Sequence, residues 1–306
     1  MKPHMILSGI VFQELKGKHN RMELSLSTHL FAFQEIDETI ASLPARFGFP
    51  AVELWAMPPH FPFDDPDAAG AIAARLARHG VRVASLHAPL YPDVRTYKKD
   101  RWYSLSTGDE PHRAVSVAET AAAGRWLAGN GGGTLVVHTH FPAEQWYPGR
   151  WEAFLRSMDE LLEAIPEPVR LAVENTPLPS GHVSVILDVV GRYPVDRVGI
   201  CLDLGHANIE GDAPTAVRAA APRLIHLHAS DNLAVRDDHL VPGRGSVPWA
   251  QAVRALSEVG YDGAFTVELR DYTRGESPLY RGFEELLSEC RGALDRILAQ
   301  GGGSGR

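Results

Sequence analysis

The strongest constraint on the fold of this 306-residue chain is its alternation of eight short apolar runs with longer helical stretches. The runs are ELSLSTHL (23–30), AVEL (51–54), VRVASLH (81–87), TLVVH (134–138), RLAVE (170–174), VGICLD (198–203), LIHLH (224–228) and AFTVE (264–268). Parallel strands covered on both faces read as near-continuous apolar runs, and most of these do. Helical periodicity lies between them at 67–80, 114–129, 151–165, 248–260 and 283–300. Gly80, Gly129 and Gly260 follow helices, as C-terminal glycine caps do. Eight strand–helix units in strict alternation predict an α/β fold with a parallel sheet. The count of eight favours a closed (β/α)8 TIM barrel over an open doubly wound sheet, and no glycine-rich dinucleotide fingerprint follows the first strand. A barrel of this type takes ~250 residues. Residues 22–300 are therefore read as one barrel, 1–21 as an appendage outside the core, and GGGSGR (301–306) as a flexible tail.

Composition excludes several classes. A formal net charge of −8 argues against a nucleic-acid partner, which needs a concentrated basic surface. Cys201 and Cys290 are the only cysteines, so no disulfide framework exists and a reducing compartment, the cytoplasm, is expected. No apolar run approaches the ~18 residues of a membrane span. MILSGIVF (5–12) is short for the apolar region of a signal peptide and carries no clear small-residue cleavage site.

Six of the eight runs end in His, Asp or Glu: His87, His138, Glu174, Asp203, His228 and Glu268. Carboxylates and imidazoles on apolar strands are costly to bury unpaired. At one end of a barrel the carboxylates would also repel one another, and a divalent cation resolves both problems. Oxygen and imidazole ligands suit Zn, Mn, Co or Mg. His206 follows Asp203 by three residues, and Asp237 and His239 form a D-x-H pair in the seventh loop. Each has a plainer reading. A lone strand-end His is more often a satisfied polar residue, and Asp203 could simply cap the next helix. Cys201 reads as a small buried hydrophobe. His226 is read as a support for His228 or as outward-facing. The combination is far more specific than any member.

Loops after strands hold the chemistry of a barrel. Two are long, 88–110 and 229–247, as binding elements often are. Some of Trp102 and Tyr103, and of Trp146 and Tyr147 in the next loop, are expected to form an apolar wall over a sugar face, ordinary loop packing being the plainer reading. Glu53, His206, Arg244, Trp102 and Trp146 are the candidates for contacting substrate, and neutralising a neighbour is the other reading of Glu53.

The segments FGFPAVELW (47–55), SLHAPL (85–90), VVHTH (136–140), LAVENTP (171–177), GICLDLGHANIEGD (199–212), LIHLHASDN (224–232), DDHLVPGRGSVPW (237–249) and FTVELRD (265–271) resemble the xylose isomerase-like barrels. These include sugar isomerases and epimerases, inosose dehydratases and endonuclease IV. In the epimerase branch one metal is held by two glutamates, an aspartate and a histidine, and those roles fall on Glu174, Asp203, His228 and Glu268. The resemblance implies a proton shift beside a carbonyl through a metal-stabilised enediolate, with Glu174 and Glu268 as base and acid and His206 holding a substrate oxygen. No arginine stands just after His228, a departure from that branch. In the endonuclease IV branch three zinc ions share nine ligands, and His87, His138, His206, Asp237 and His239 complete that set. Leu90 and Gly205 depart from it, replacing a tyrosine and a cysteine. The expected activity is therefore a metal-dependent sugar or polyol isomerase or epimerase, with a lyase or dehydratase on a keto-sugar or inosose and a zinc phosphodiesterase as alternatives. A small-molecule sugar is the expected substrate, and a homo-oligomer the expected assembly.

Overall fold

The computed structural model describes residues 22–97, 99, 101–139, 145, 147–275 and 278–301. The proposed appendage 1–21, Trp146 and most of the C-terminal tail lie outside the described residues. Eight strands run in parallel and close on themselves: β1 (Glu23–Ser27), β2 (Ala51–Trp55), β3 (Arg82–His87), β4 (Thr134–His138), β5 (Arg170–Glu174), β6 (Val198–Asp203), β7 (Leu224–Ala229) and β8 (Ala264–Val267). Each strand pairs with the next, and β8 returns to β1, so the sheet has no free edge. This is the (β/α)8 TIM barrel.

The surrounding helices are α1 (Glu38–Arg46), α2 (Pro66–Arg78), α3 (Glu110–Gly129), α4 (Gly149–Ala164), α5 (Val183–Val190), α6 (Leu204–Glu210), α7 (Ala213–Ala220), α8 (Trp249–Glu258) and α9 (Phe283–Gly301). Aspartates start five of them. Asp37, Asp65, Asp109, Asp203 and Asp212 each accept a backbone N–H of the first turn, satisfying donors that have no partner within the helix. Four helices are not among the stretches read from the sequence. α5 (VSVILDVV) is apolar nearly throughout, α6 and α7 are one to two turns long, and α1 holds Pro44.

The first strand is shorter than its apolar run. β1 stops at Ser27, and Thr28–Phe31 turn into a 3-10 helix that carries His29 over the end of the barrel. The apolar core lies between strands and helices, with Phe31, Phe49, Phe61, Phe154 and Phe265 fully buried. Among the described residues no helix is long and apolar enough to cross a membrane.

Candidate metal and active site

Four buried side chains converge at the C-terminal ends of β5 to β8. Glu174 and Asp203 close their strands, His228 lies one residue from the end of β7, and Glu268 directly follows β8. One ligand atom from each lies within 4.8 Å of all the others, near the ~4 Å width of a coordination shell with bonds of ~2.1 Å. His228 is the hub. Its Nδ1 is 3.2 Å from Glu174 Oε1 and 3.1 Å from Glu268 Oε2. Asp203 Oδ1 caps α6 by accepting the His206 backbone N–H at 2.6 Å, while its Oδ2 is buried with no hydrogen-bond partner. A buried carboxylate oxygen without a donor is costly. A divalent cation among these four residues would supply the missing partner, and carboxylate and imidazole donors suit one.

Burial and neighbouring charges compete within the cluster. Burial lifts the Asp203 carboxyl to about 6. Burial would also raise Glu268, but the charge and hydrogen bond of His228, helped by His239 and His29, hold it at about 2. Glu174 is likewise held well below its ordinary range, its burial outweighed by His228 and His138. Burial would lower His228, but Cys201, Glu53, Glu174 and Glu268 together raise it well above its usual value.

Four further triplets adjoin this group, Cys201–His226–His228, His29–His239–Glu268 and two more. His87, His138 and Glu174 form one, with His138 Nε2 at 3.0 Å and His87 Nε2 at 3.5 Å from the same Glu174 oxygen. His206, Asp237 and His239 form the other. Asp237 divides its oxygens between them: Oδ2 lies 2.7 Å from His239 Nε2 and Oδ1 lies 3.5 Å from His206 Nε2. Burial would lower His239, but the Asp237 carboxylate raises it to about 9.

The D-x-H pair sits on a loop that is tied down from both sides. Asp231, fully buried, accepts Asn232 N and Val247 N on Oδ1, and Gly243 N and Trp249 Nε1 on Oδ2. Its backbone makes two bonds with Leu240. A Cβ at Gly245 would lie 2.3 Å from Asp231 Oδ1 and 2.2 Å from the Asn232 carbonyl, so only glycine lets the chain pass there. From the other side, Arg270 N donates to the His239 carbonyl at 3.1 Å and Arg270 Nη2 to the Asp237 carbonyl at 2.7 Å. His239 is held at φ 47°, in the left-handed region that few non-glycine residues occupy.

A cavity of about 520 Å³ opens over these groups, and Glu174, His206, Asp237, His239 and Glu268 line it. Its aromatic wall differs from the expected one. Trp55, Tyr91 and Tyr97 line the cavity, with ring centroids 5.0–6.4 Å apart. Trp102 packs behind that cluster, Tyr103 lines a separate small crevice, and Tyr147 is 44% exposed beneath the Arg150 guanidinium. Trp146 lies outside the described residues.

Two other expectations for substrate contact are corrected. Arg244 points away from the cavity, because its guanidinium pairs with Glu289 on α9. Glu53 is wholly buried beneath His228, where it hydrogen-bonds two imidazoles and does not line the cavity. His226, of the two readings open to it, faces inward and bonds Glu53. Cys201 is fully buried, and burial pushes its thiol up.

Several cavity residues carry no marker in the sequence reading. His29 Nδ1 lies 3.5 Å from Glu268 Oε1, and its ring packs on Trp55 at 4.6 Å. Arg270 and Thr176 line the cavity two residues beyond the strand-end glutamates. A search for polar residues one or two positions past each strand would have found these last two.

Comparison with known proteins adds to this geometry. A family model for the xylose isomerase-like TIM barrel matches residues 42–289. An uncharacterized protein of Methanocaldococcus jannaschii is 27% identical over 177 residues, 53% of this chain and 60% of that protein. A D-psicose 3-epimerase of Enterocloster bolteae is 40% identical over 115 residues, 36% of each chain. The match thus spans 60% or less of these two relatives. A fructoselysine 3-epimerase of Escherichia coli is 24% identical over 273 residues, 83% of this chain and 90% of that protein. A D-tagatose 3-epimerase-like protein of known structure superposes with a TM-score of 0.73 at 21% identity, covering 92% of this chain and 98% of its own. At that identity the likeness is one of fold.

Proposed function

Since the chain belongs to the xylose isomerase-like TIM barrel family, we propose that it is a divalent-metal-dependent isomerase or epimerase of a sugar or polyol. The observation that carries this reading is the approach of two glutamates to one imidazole nitrogen. Glu174 and Glu268 come from strands three positions apart around the barrel, reach His228 Nδ1 at 3.2 and 3.1 Å, and both line the cavity. A sugar carbon placed between them has a carboxylate on either side. One carboxylate takes the proton from the carbon beside the carbonyl, giving an enediolate, and the other returns a proton. Return to the opposite face of the same carbon inverts it; return to the neighbouring carbon exchanges ketose for aldose. Glu174, Asp203, His228 and Glu268 would hold the cation, which when bound supplies Lewis-acid polarisation of the substrate oxygens. His206 and His239 stand at the cavity wall to hold sugar hydroxyls, and the Trp55–Tyr91–Tyr97 wall packs on the apolar C–H face and displaces water. The names of the relatives make D-psicose, D-tagatose and fructoselysine the first substrates to test. Incubation with each in deuterated water, with Mn2+, Co2+ or Zn2+ added, should place deuterium on the carbon beside the carbonyl. Turnover without any deuterium incorporation would sink the proton-transfer reading, and loss of water from the sugar would favour a lyase on the same residues.

A second reading, a phosphodiester hydrolase, is favoured by one observation: His87–His138–Glu174, Glu174–Asp203–His228–Glu268 and His206–Asp237–His239 are three adjoining candidate cation groups. Against it stands Gly205, where a Cβ would lie 2.3 Å from Ser230 Oγ, so this backbone has no room for the cysteine of the endonuclease pattern. Cleavage of abasic-site DNA, with no deuterium entering any sugar, would decide for it.

A further inference from the structure

Glu53 lies in the middle of β2, is 0% exposed, and has both oxygens engaged. Oε1 is 2.9 Å from His228 Nε2. Oε2 is 2.8 Å from His226 Nε2 and accepts the Ser85 hydroxyl at 2.8 Å. A carboxylate buried this deeply inside a barrel is costly unless its charge is compensated and its lone pairs are filled. β3 and β7 bring the donors that do both.

The arrangement decides more than charge. A neutral imidazole carries one proton, on whichever nitrogen faces an acceptor. An ionised carboxylate can only accept, so His228 must carry a proton on Nε2. Its Nδ1, the nitrogen that Glu174 and Glu268 approach, is then the one with a free lone pair whenever the ring is neutral. Without Glu53 the proton could equally sit on Nδ1 and donate to Glu174 or Glu268, which would block that nitrogen as a ligand. His226 and Ser85 hold the second oxygen of Glu53, so the carboxylate cannot rotate away from His228.

We propose that Glu53 is a positioning residue that fixes the tautomer and ring orientation of His228, so that Nδ1 is presented to a divalent cation. A carboxylate on the far nitrogen also makes a ligating imidazole a stronger donor. The inference rests on the cation site of the proposed function, and it assigns to Glu53 a role that needs no contact with substrate.

The test is a Co2+ titration of the whole protein followed by visible absorption and chelator competition, together with 15N spectra of its histidines in the Zn2+-loaded state. Glu53→Gln keeps the shape, but its amide sets an NH2 donor where one carboxylate oxygen stood, against either His228 or the His226–Ser85 pair, and removes the charge. Co2+ affinity should fall about 10–100-fold. Ser85→Ala removes one of the two donors on the far oxygen while His226 keeps the other, so Co2+ affinity should fall by less than in Glu53→Gln. In the wild type, His228 should show a protected proton on Nε2 and none on Nδ1, a signature that does not depend on any variant folding. Equal Co2+ affinity in wild type and Glu53→Gln, an equal loss in Ser85→Ala, or a proton on His228 Nδ1 would each overturn the inference while leaving the cation site standing. A wild type that binds neither Co2+ nor Zn2+ would overturn the cation site itself, and the inference with it.

Discussion

His138 and Glu174 are register partners across β4 and β5, and His138 Nε2 stands 3.0 Å from Glu174 Oε2. The other oxygen of the same carboxylate faces His228. Glu174 therefore belongs to two candidate ligand groups, the central one and His87–His138–Glu174, and Glu268 to the central one and His29–His239–Glu268. Glu174→Gln and Glu268→Gln should each lower turnover about 10²–10⁴-fold by removing one member of the acid–base pair. They should differ in metal content. Glu268→Gln disturbs the central group and a triplet in which His29 stands 3.5 Å away, while Glu174→Gln disturbs the central group and the tighter triplet in which His138 stands 3.0 Å away. Metal analysis after dialysis should show the larger loss in Glu174→Gln. A chelator should abolish wild-type turnover, and added Mn2+, Co2+ or Zn2+ should restore it. Activity that survives exhaustive chelation would contradict this.

The aromatic wall predicts a binding defect more than a chemical one. Trp55 is buried at the cavity edge between His29, Tyr91 and Tyr97. Trp55→Leu keeps an apolar side chain but removes the flat ring face. Ring packing is worth about 0.5–1.5 kcal/mol beyond area, so KM should rise roughly 3–10-fold with kcat within about threefold. Steady-state kinetics on the turned-over sugar decides the point; a fall in kcat alone would mean that Trp55 acts on the chemistry.

Asp231 is expected to govern the loop that carries Asp237 and His239. Asp231→Asn turns an amide NH2 toward N–H donors that now point at a carboxylate oxygen. Loss of charge-assisted bonds to a buried group costs about 1.5–3 kcal/mol. Urea unfolding should show that loss, and limited proteolysis should open the chain between residues 230 and 247. Wild-type stability and protease resistance in Asp231→Asn would show that the loop is held by other means.

His60 gives the fold an acid-sensitive joint away from the cavity. Its Nδ1–H donates to the Gln34 carbonyl at 2.7 Å, and its Nε2 lies 2.9 Å from Thr28 Oγ1, which accepts the Trp55 backbone N–H. Burial lowers its pKa to about 4, against opposing bonds to the Gln34 and Phe31 carbonyls. The unfolded chain takes up a proton near pH ~6.5, before the folded one does. Stability from this group is therefore complete above pH ~6.5 and is lost as pH falls toward 4, by about 3 kcal/mol in all. His60→Gln should flatten the fall of the urea midpoint between pH 7 and 4.5 relative to wild type. Parallel curves for the two proteins would refute the assignment.

The sequence is most legible where a strand ends in a polar residue. Glu174, Asp203 and His228 each terminate an apolar run, and burial at the rim of a closed barrel leaves them nowhere to point but toward one another. His29 was hidden for the opposite reason. Its run reads as strand to residue 30, yet the backbone leaves the sheet at Ser27, and a 3-10 turn delivers the ring to Glu268. Loop residues were harder still. The loop of residues 88–110 is visibly aromatic, but periodicity does not say which rings turn inward; Tyr91 and Tyr97 do, while Trp102 stands behind them. Arg244 sits in the right loop, but the fold sends it outward to Glu289, a partner 45 residues away that no local pattern reveals.

The seventh loop also divides into a fixed base and an exposed tip. The Asp231 clamp and the Arg270 contacts hold the base, while Leu233 and Val235 at the tip are 61% and 78% exposed. The tip reaches back to this base through Ala234 N on Asn232 Oδ1 at 2.9 Å and Arg236 on Asp238 Oδ1 at 3.0 Å, while Leu233 and Val235 stand clear of the clamp that holds Asp237 and His239. That makes the tip a natural graft point: a short peptide tag inserted between Ala234 and Val235 should leave the placement of Asp237 and His239 intact, and successive generations of sequence can lengthen or recolour this exposed tip without rebuilding the base beneath it.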